Sequence, residues 1–145
     1  MNSSERVLAC PSTAKYLIAT FIDLKWIPSH SIKLFSFDDF STFSIMQSSI
    51  HEVWARLQSG KLDQRLAYNL TKAFGTFSLP KEHPSNSIGE DLWRLRERVS
   101  VQHNVCLTDL YNALHDEGNS ESDFRSIRDL IVQNDKRSSA CIRLG

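Results

Sequence analysis

Asp23 and Lys25 are the first residues in this sequence whose types and spacing could do chemistry. In many metal-dependent nucleases, a carboxylate binds magnesium and a lysine two residues later stabilises the developing negative charge. So short a pattern also arises by chance in most proteins of this size. Asp38 and Asp39 follow it instead of preceding it on a neighbouring strand. The sequence therefore favours a solvated turn at Asp23, with a small metal-dependent nuclease as the less favoured alternative.

The histidines show no spacing that is typical of metal ligands or of a catalytic base. They are His30, His51, His83, His103 and His115. His51 adjoins Glu52 within a segment of helical periodicity, where adjacent side chains point in different directions. A packed or capping role is therefore favoured for a lone helical histidine such as this one.

The sequence motifs of several common catalytic sites are absent. A fold that binds S-adenosylmethionine needs a glycine-rich turn after its first strand, and the five glycines here are isolated. Methylation of a base amine needs an Asn/Asp-Pro-Pro-aromatic loop, and no two prolines are adjacent. Neither a Gly-Lys-Ser/Thr phosphate loop nor a His-Glu-x-x-His helix occurs. We therefore expect no catalytic residue, no metal ligand and no bound cofactor in this chain.

Composition indicates a soluble protein of one compact unit. The chain has 145 residues, of which 41% are hydrophobic, and its 17 basic residues balance 17 acidic ones. Balanced charge gives no strong field for attracting nucleic acid or a membrane surface. Three distant cysteines, Cys10, Cys106 and Cys141, predict neither disulfides nor a zinc site. No apolar run approaches the roughly 20 residues that span a bilayer, so no membrane partner is expected. The unpaired cysteines and an N-terminus without a basic region followed by an apolar block predict a cytoplasmic location.

The element pattern predicts strands first and helices later. Residues 16–22 and 31–37 are rich in β-branched and aromatic residues, and Pro28 lies between them, which favours a hairpin-like pair. Residues 43–57 have apolar residues at helical spacing, and Asp39 or Ser41 can cap this long helix. Residues 66–79 are expected to be extended or irregular.

A polar connector at residues 81–87 then leads into three predicted helices. The first has an apolar stripe within residues 92–99, and its arginines, Arg94, Arg96 and Arg98, are expected to form an ion-paired exposed face. We predict an α+β fold with N-terminal antiparallel strands packed with one long helix, followed by a helical C-terminal part. The expected division is a strand-rich recognition part (1–80), the connector (81–87) and a helical part (88–145).

The central segment, residues 48–80, carries polar and aromatic residues at fixed spacings: Ser-x-x-His-x-x-Trp, then Leu-x-Tyr, then Phe-x-Thr-Phe followed by a proline. The residues of this pattern are Ser48, His51, Trp54, Leu66, Tyr68, Phe74, Thr76, Phe77 and Pro80. In this pattern the chain resembles the C-terminal target-recognition region of large single-chain bacterial adenine-specific DNA methyltransferases, found in type II restriction–modification and BREX-like phage-defence systems. The resemblance extends over residues 5–135, and residues 138–145 depart from the family, which suggests a fragment.

The resemblance implies a reading part whose catalytic domain lies elsewhere. In the intact enzyme, a base would be flipped out of the duplex and methylated from S-adenosylmethionine. The implied partners are double-stranded DNA and a methyltransferase catalytic domain. Because non-specific affinity depends on the number of phosphates neutralised, the charge-balanced chain alone should bind DNA weakly.

Sequence readout requires exposed polar or basic side chains that reach phosphates and base edges. The candidates lie on the predicted hairpin and near the end of the long helix: Lys15, Lys25, His30, Lys33, Arg56, Lys61 and Arg65. The aromatic residues of the family pattern are expected to fill the core instead of stacking on bases. Ser48 and His51 are expected to hydrogen-bond the adjoining strand segment.

A function from a different class remains open. The chain could be an independent interaction or regulatory module that contacts a partner through the apolar stripes within residues 92–99 and 124–131.

Overall fold

The structure is a computed structural model that describes residues 6–25, 31–62, 65–77, 79 and 86–144. The central strand of its first sheet is β1 (Arg6–Pro11). It pairs antiparallel with β3 (Thr20–Asp23) on one side and with β4 (Ile32–Phe35) on the other. The interior of β1 is an uninterrupted buried apolar run, as expected for a strand covered on both faces. The hairpin-like pairing of residues 16–22 with 31–37 was therefore a wrong prediction, because β1 lies between the two strands. Pro28 and His30 lie outside the described residues.

A second, smaller sheet begins with the strand that follows β1 along the chain. Its strands are β2 (Thr13–Ala14), β5 (Gly60–Leu62) and β6 (Arg65–Ala67), with β6 in the centre. Both pairings are antiparallel. A π-helical turn, Leu70–Phe74, follows β6. Residues 66–79 were expected to be extended or irregular. This prediction was correct for β6 and wrong for the π-helical turn.

The predicted long helix is two helices, α1 (Phe40–Met46) and α2 (Ser49–Gln58). Asp39 caps α1 by accepting a hydrogen bond from the backbone N–H of Thr42 at 2.8 Å. The break follows from Ser48, whose backbone is extended and whose hydroxyl accepts from the backbone N–H of His51. A serine at this position satisfies an N–H group that the start of a helix leaves without a partner.

Three further helices make up the C-terminal part: α3 (Asn86–His103), α4 (Leu107–Leu114) and α5 (Ser122–Leu144). Helix α5 connects to the others through polar contacts. The carboxylate of Asp135 accepts from the backbone N–H of Ser49 at 2.9 Å, at the first turn of α2. The guanidinium of Arg128 donates to the carbonyl of Leu114 at 2.8 Å, at the end of α4. These contacts satisfy backbone groups that helix ends leave open. The fold class, α+β with strands first and helices later, is confirmed.

The hydrophobic core runs through both parts of the chain. Buried apolar side chains from β1 and α1 pack together with those of α3, α4 and α5, including Leu8, Phe43, Leu92, Leu110 and Ile127. The apolar stripes within residues 92–99 and 124–131 therefore face inward. These stripes cannot serve as the partner-binding surface of an interaction module without opening the core.

Arg96 contradicts the prediction of an exposed, ion-paired arginine face. Its side chain is fully buried, whereas Arg94 pairs with Glu90 at the surface at 2.6 Å and Arg98 is exposed. The reason is helical geometry. Arg96 lies four residues after Leu92 and three before Val99, so it belongs to the stripe that faces the core.

None of the described helices combines the length and the apolar character that crossing a bilayer requires.

Replacing Asn134 with alanine should lower the free energy of unfolding by about 1–3 kcal/mol, the cost of leaving a buried polar group unpaired. The Asn134 amide donates to the carbonyl of Ser44 at 2.9 Å and accepts from the Ser44 hydroxyl, which joins α5 to α1. Urea denaturation measures the effect. Gln133→Ala changes the exposed neighbour on the same helix and is the matched control. Equal unfolding free energies for the two variants would contradict the prediction.

Candidate nucleic-acid interface

The first part of the family pattern lies inside the protein. Ser48 is fully buried, and its hydroxyl both caps α2 and donates to the carbonyl of Ile45 at 2.6 Å. His51 is fully buried one turn later. Ser48 therefore stabilises the helix break, instead of contacting a strand as expected.

His51 forms the contact between α2 and the chain that leaves β6. Its Nε2 lies 2.8 Å from the hydroxyl of Tyr68. Burial lowers the pKa of His51 to about 4, so the imidazole is neutral at physiological pH. Burial is also the main cause of the raised pKa of Tyr68, and the nearby Cys10 adds to it. The pair is thus an uncharged hydrogen bond in the interior, and it joins His51 to the residue that follows β6.

The remaining residues of the pattern pack around this pair. The Phe77 ring meets His51 edge-on with a centroid distance of 4.6 Å. The indole N–H of Trp54 donates to the hydroxyl of Thr76 at 3.1 Å, and that hydroxyl donates to the carbonyl of Lys72. These bonds attach the segment after the π-helical turn to α2.

Phe74 extends the same arrangement to the first sheet. Its ring contacts those of Phe35 and Phe37, with centroid distances of 4.9 and 6.1 Å. Phe74 and Phe77 are half-buried, as is Trp54, whereas Tyr68 is buried. Pro80, the last residue of the pattern, lies outside the described residues. All the described residues of the pattern thus contact other parts of the protein, and their predicted structural role stays a prediction.

Four of the candidate cations are at or near the surface. Lys15 follows β2 and is exposed, and Lys25 lies in the turn after β3. Lys33 is half-buried on β4, opposite Cys10 on β1. Burial raises the pKa of the Cys10 thiol to about 12, against the opposing effect of Lys33, so this thiol is protonated at physiological pH. Arg65 begins β6 and is exposed.

The other candidates differ in what the structure shows. Arg56 is engaged within the protein: it donates to Glu52 at 3.1 Å and to the carbonyl of Lys15 at 2.6 Å. Lys61 lies on β5, but its side chain is outside the described part, as is the whole of His30. The predicted cations therefore lie on or beside both sheets and α2. Among them, Arg56 bonds to the backbone of Lys15, and the register of β2 with β6, in which Ala14 lies opposite Leu66, brings Lys15 and Arg65 to the same end of the small sheet.

Asp23 and Lys25 form a local turn. The Asp23 carboxylate accepts from the backbone N–H of Lys25 at 2.9 Å, and the two side chains are 3.9 Å apart. Within the described ranges, no three His, Cys, Asp or Glu residues are grouped so that they could hold a metal ion. The geometry is that of the solvated turn that the sequence favoured.

An apolar groove of about 520 Å³ lies between α2 and the end of α5. Val53 and Leu57 line it and are 58% and 73% exposed. Apolar side chains offer phosphate oxygens no hydrogen bond or charge, so this groove does not suit the DNA backbone.

Sequence reasoning missed the buried network around Arg96. Its guanidinium donates to the carbonyl of Ala19 at 2.7 Å, to the side-chain oxygen of Gln47 at 3.2 Å and to the hydroxyl of Tyr111 at 3.3 Å. The signal that could have revealed it is the helical spacing of Arg96 with Leu92 and Val99.

The fold is similar to part of a solved restriction–modification enzyme. The structure of the Type IIL restriction–modification enzyme MmeI in complex with DNA matches with a TM-score of 0.72 and 18% sequence identity. The match covers 100% of this chain and 19% of that enzyme. The fold is therefore that of one portion of a much longer enzyme. No curated protein sequence matches the chain.

Fold and sequence together define a target-recognition module that is similar to one portion of a restriction–modification enzyme. Residues 3–81 match the family model described as MmeI, target recognition domain. This range is more than half of the 145 residues. The chain belongs to the MmeI target recognition domain family, and the resemblance seen in the sequence is confirmed.

Acid should destabilise the protein through His51. The pKa of His51 is about 4 in the folded protein and 6.5 for a histidine that is not buried, as in the unfolded chain. The unfolded chain therefore binds the proton first as the pH falls. The stabilisation is complete above pH 6.5 and is lost as the pH falls towards 4, by about 3 kcal/mol in total at 1.36 kcal/mol per pH unit. Urea denaturation across this window measures the loss.

The His51→Gln variant should lack this pH dependence, because glutamine keeps a polar group near Tyr68 but does not titrate. His115→Gln removes an exposed histidine, which stacks on Tyr16, and serves as the control for the loss of a histidine at the surface. If wild type and His51→Gln had the same pH dependence between pH 4 and 6.5, burial of a neutral His51 would be disproved.

Proposed function

We propose that this chain binds double-stranded DNA and selects the site on which a restriction–modification enzyme acts. The observation that carries the proposal is the family match over residues 3–81. The similar solved enzyme was determined in complex with DNA, which supports the same partner here. In this proposal, residues 1–80 read DNA and the helical part, residues 88–145, supports them.

The intact enzyme would supply the chemistry. We propose that its catalytic domain, the second partner of this chain, transfers a methyl group from S-adenosylmethionine to the exocyclic amine of an adenine. The base would first leave the helical stack, since its reactive atom is inaccessible inside the duplex. This chain would fix the register of the enzyme on DNA, so that one particular base reaches the catalytic pocket.

The proposed DNA contacts are made by exposed cations. Lys15, Lys25 and Arg65 are exposed and Lys33 is half-buried, so their side chains are accessible to a phosphate or a base edge. Phosphate contacts fix position, and contacts to base edges give sequence preference. Arg56 serves less directly, because its guanidinium is already bonded to Glu52 and to the backbone of Lys15.

Purified chain should bind a short duplex weakly and without turnover. The logarithm of the association constant should fall linearly with the logarithm of salt concentration, by about 0.9 for each phosphate contacted. Fluorescence anisotropy with a labelled duplex between about 50 and 200 mM salt measures this slope. No methyl transfer from S-adenosylmethionine and no cutting with magnesium should accompany binding.

Asp23→Ala separates this proposal from a nuclease. The variant removes the carboxylate that caps the turn before Lys25 and should bind DNA as the wild type does, or slightly better because one negative charge is lost. Magnesium-dependent cleavage by the wild type that disappears in Asp23→Ala would overturn the recognition function in favour of the nuclease.

A further inference from the structure

The connection between β2 and β3, residues 15–19, has no regular secondary structure, yet side chains hold its backbone in place. Gln47, at the junction of α1 and α2, binds it twice. The Gln47 amide donates to the carbonyl of Leu17 at 2.9 Å, and its oxygen accepts from the backbone N–H of Ala19 at 2.7 Å. One side chain thus fixes two positions of a segment that links the two sheets.

Two arginines hold the ends of the same segment. Arg56 on α2 donates to the carbonyl of Lys15 at 2.6 Å, and Arg96 on α3 donates to the carbonyl of Ala19 at 2.7 Å. With Gln47, four backbone groups of residues 15–19 have side-chain partners. A loop ordered in this way loses little conformational freedom when it binds, which favours affinity.

The side chains of the segment divide into an inner and an outer group. Leu17, Ile18 and Ala19 are buried and anchor it to the core. Tyr16 stacks flat on His115, just after α4, with a centroid distance of 4.2 Å and an angle of 4°. Lys15 is exposed, and its ammonium lies 5.2 Å from the centroid of the Tyr16 ring. The result is a fixed backbone that presents one cation.

The charge of Lys15 distinguishes it from the neighbouring candidate. Lys25 lies 3.9 Å from the carboxylate of Asp23, whereas no described carboxylate lies within ion-pair distance of Lys15. A phosphate oxygen would meet Lys15 without displacing an acidic partner. Phosphate contacts from lysine are the kind that set register along a duplex.

We propose that Lys15 contacts a DNA phosphate and that Arg96 is the positioning residue that fixes residues 15–19 for this contact. This inference rests on the proposed function. Arginine suits the role because its planar guanidinium reaches Ala19, Gln47 and Tyr111 at the same time, whereas a lysine ammonium is a point charge without such a fork. The helical part would then help to determine where the recognition part places one of its cations, Lys15.

A double-mutant cycle in the full chain tests the coupling. Lys15→Ala alone should reduce the salt slope of DNA binding by about 1 and weaken binding equally for all duplex sequences. Lys136→Ala, which removes an exposed lysine from α5, is the charge-matched control and should leave the slope unchanged. In the Arg96→Met background, Lys15→Ala should have a smaller effect, because Arg56 still bonds to the carbonyl of Lys15 but the Ala19 carbonyl has lost its arginine.

The Arg96→Lys variant keeps a buried cation and is used if the methionine variant does not fold, as judged by circular dichroism. Equal effects of Lys15→Ala in both backgrounds would show that Arg96 acts only on stability and would overturn the positioning role. Binding by the wild type that is insensitive to Lys15→Ala would overturn the phosphate contact while the proposed function stands. Absence of salt-dependent DNA binding by the wild type would overturn both.

Discussion

Burial of the Arg96 charge is the constraint on which the rest of the structure depends. A charged group taken out of water needs compensating interactions, or the folded state is strongly disfavoured. No described carboxylate forms an ion pair with Arg96. Three neutral oxygens accept its hydrogen bonds instead, and the rings of Phe43 and Trp93 lie 5.1 Å from its guanidinium carbon. Aromatic faces attract such a cation, especially away from water.

These acceptors belong to separate parts of the chain, so they must assemble together. Ala19 precedes β3, Gln47 separates α1 from α2, and Tyr111 lies on α4. The Arg96 Nε is already buried without a hydrogen-bond partner, so the loss of any of the three acceptors would leave a further charged donor unpaired and would add to the cost of burying Arg96. The strand part and the helical part are therefore energetically coupled at this point, in addition to sharing an apolar core.

The fold class followed from local pattern, but the long-range pairings did not. Periodicity placed the later helices and the change from strands to helices. It did not reveal that β1 separates β3 from β4, because neighbours in sequence pair often enough to make a hairpin the natural expectation. It also continued across the break at Ser48. That break is stabilised in part by Asp135, which is 86 positions away from Ser49.

Arg96 shows a different limit on what the sequence can predict. Its position on the apolar face of α3 could have been predicted from its spacing with Leu92 and Val99. Its acceptors could not, because the Ala19 carbonyl is 77 positions away and a backbone oxygen has no signature in the sequence. Arg94 and Arg98 are exposed, as predicted. Because arginines occupy every second position from 94 to 98, Arg96 was grouped with them and was also predicted to be exposed. A charged residue within an apolar stripe, such as Arg96, is thus better predicted to be buried and hydrogen-bonded than to be exposed.

Three polar residues of the family pattern lie inside the protein, whereas the cations proposed to contact DNA lie outside this pattern. Ser48, His51 and Tyr68 are buried and bond within the protein, so a change at any of them would alter packing before it altered a base contact. In the proposed function, the exposed positions can therefore change without disturbing this buried pattern. With balanced overall charge, a module of this kind gains little from long-range attraction. Its discrimination must then come from placing a few exposed side chains accurately, which is what an internally bonded scaffold provides.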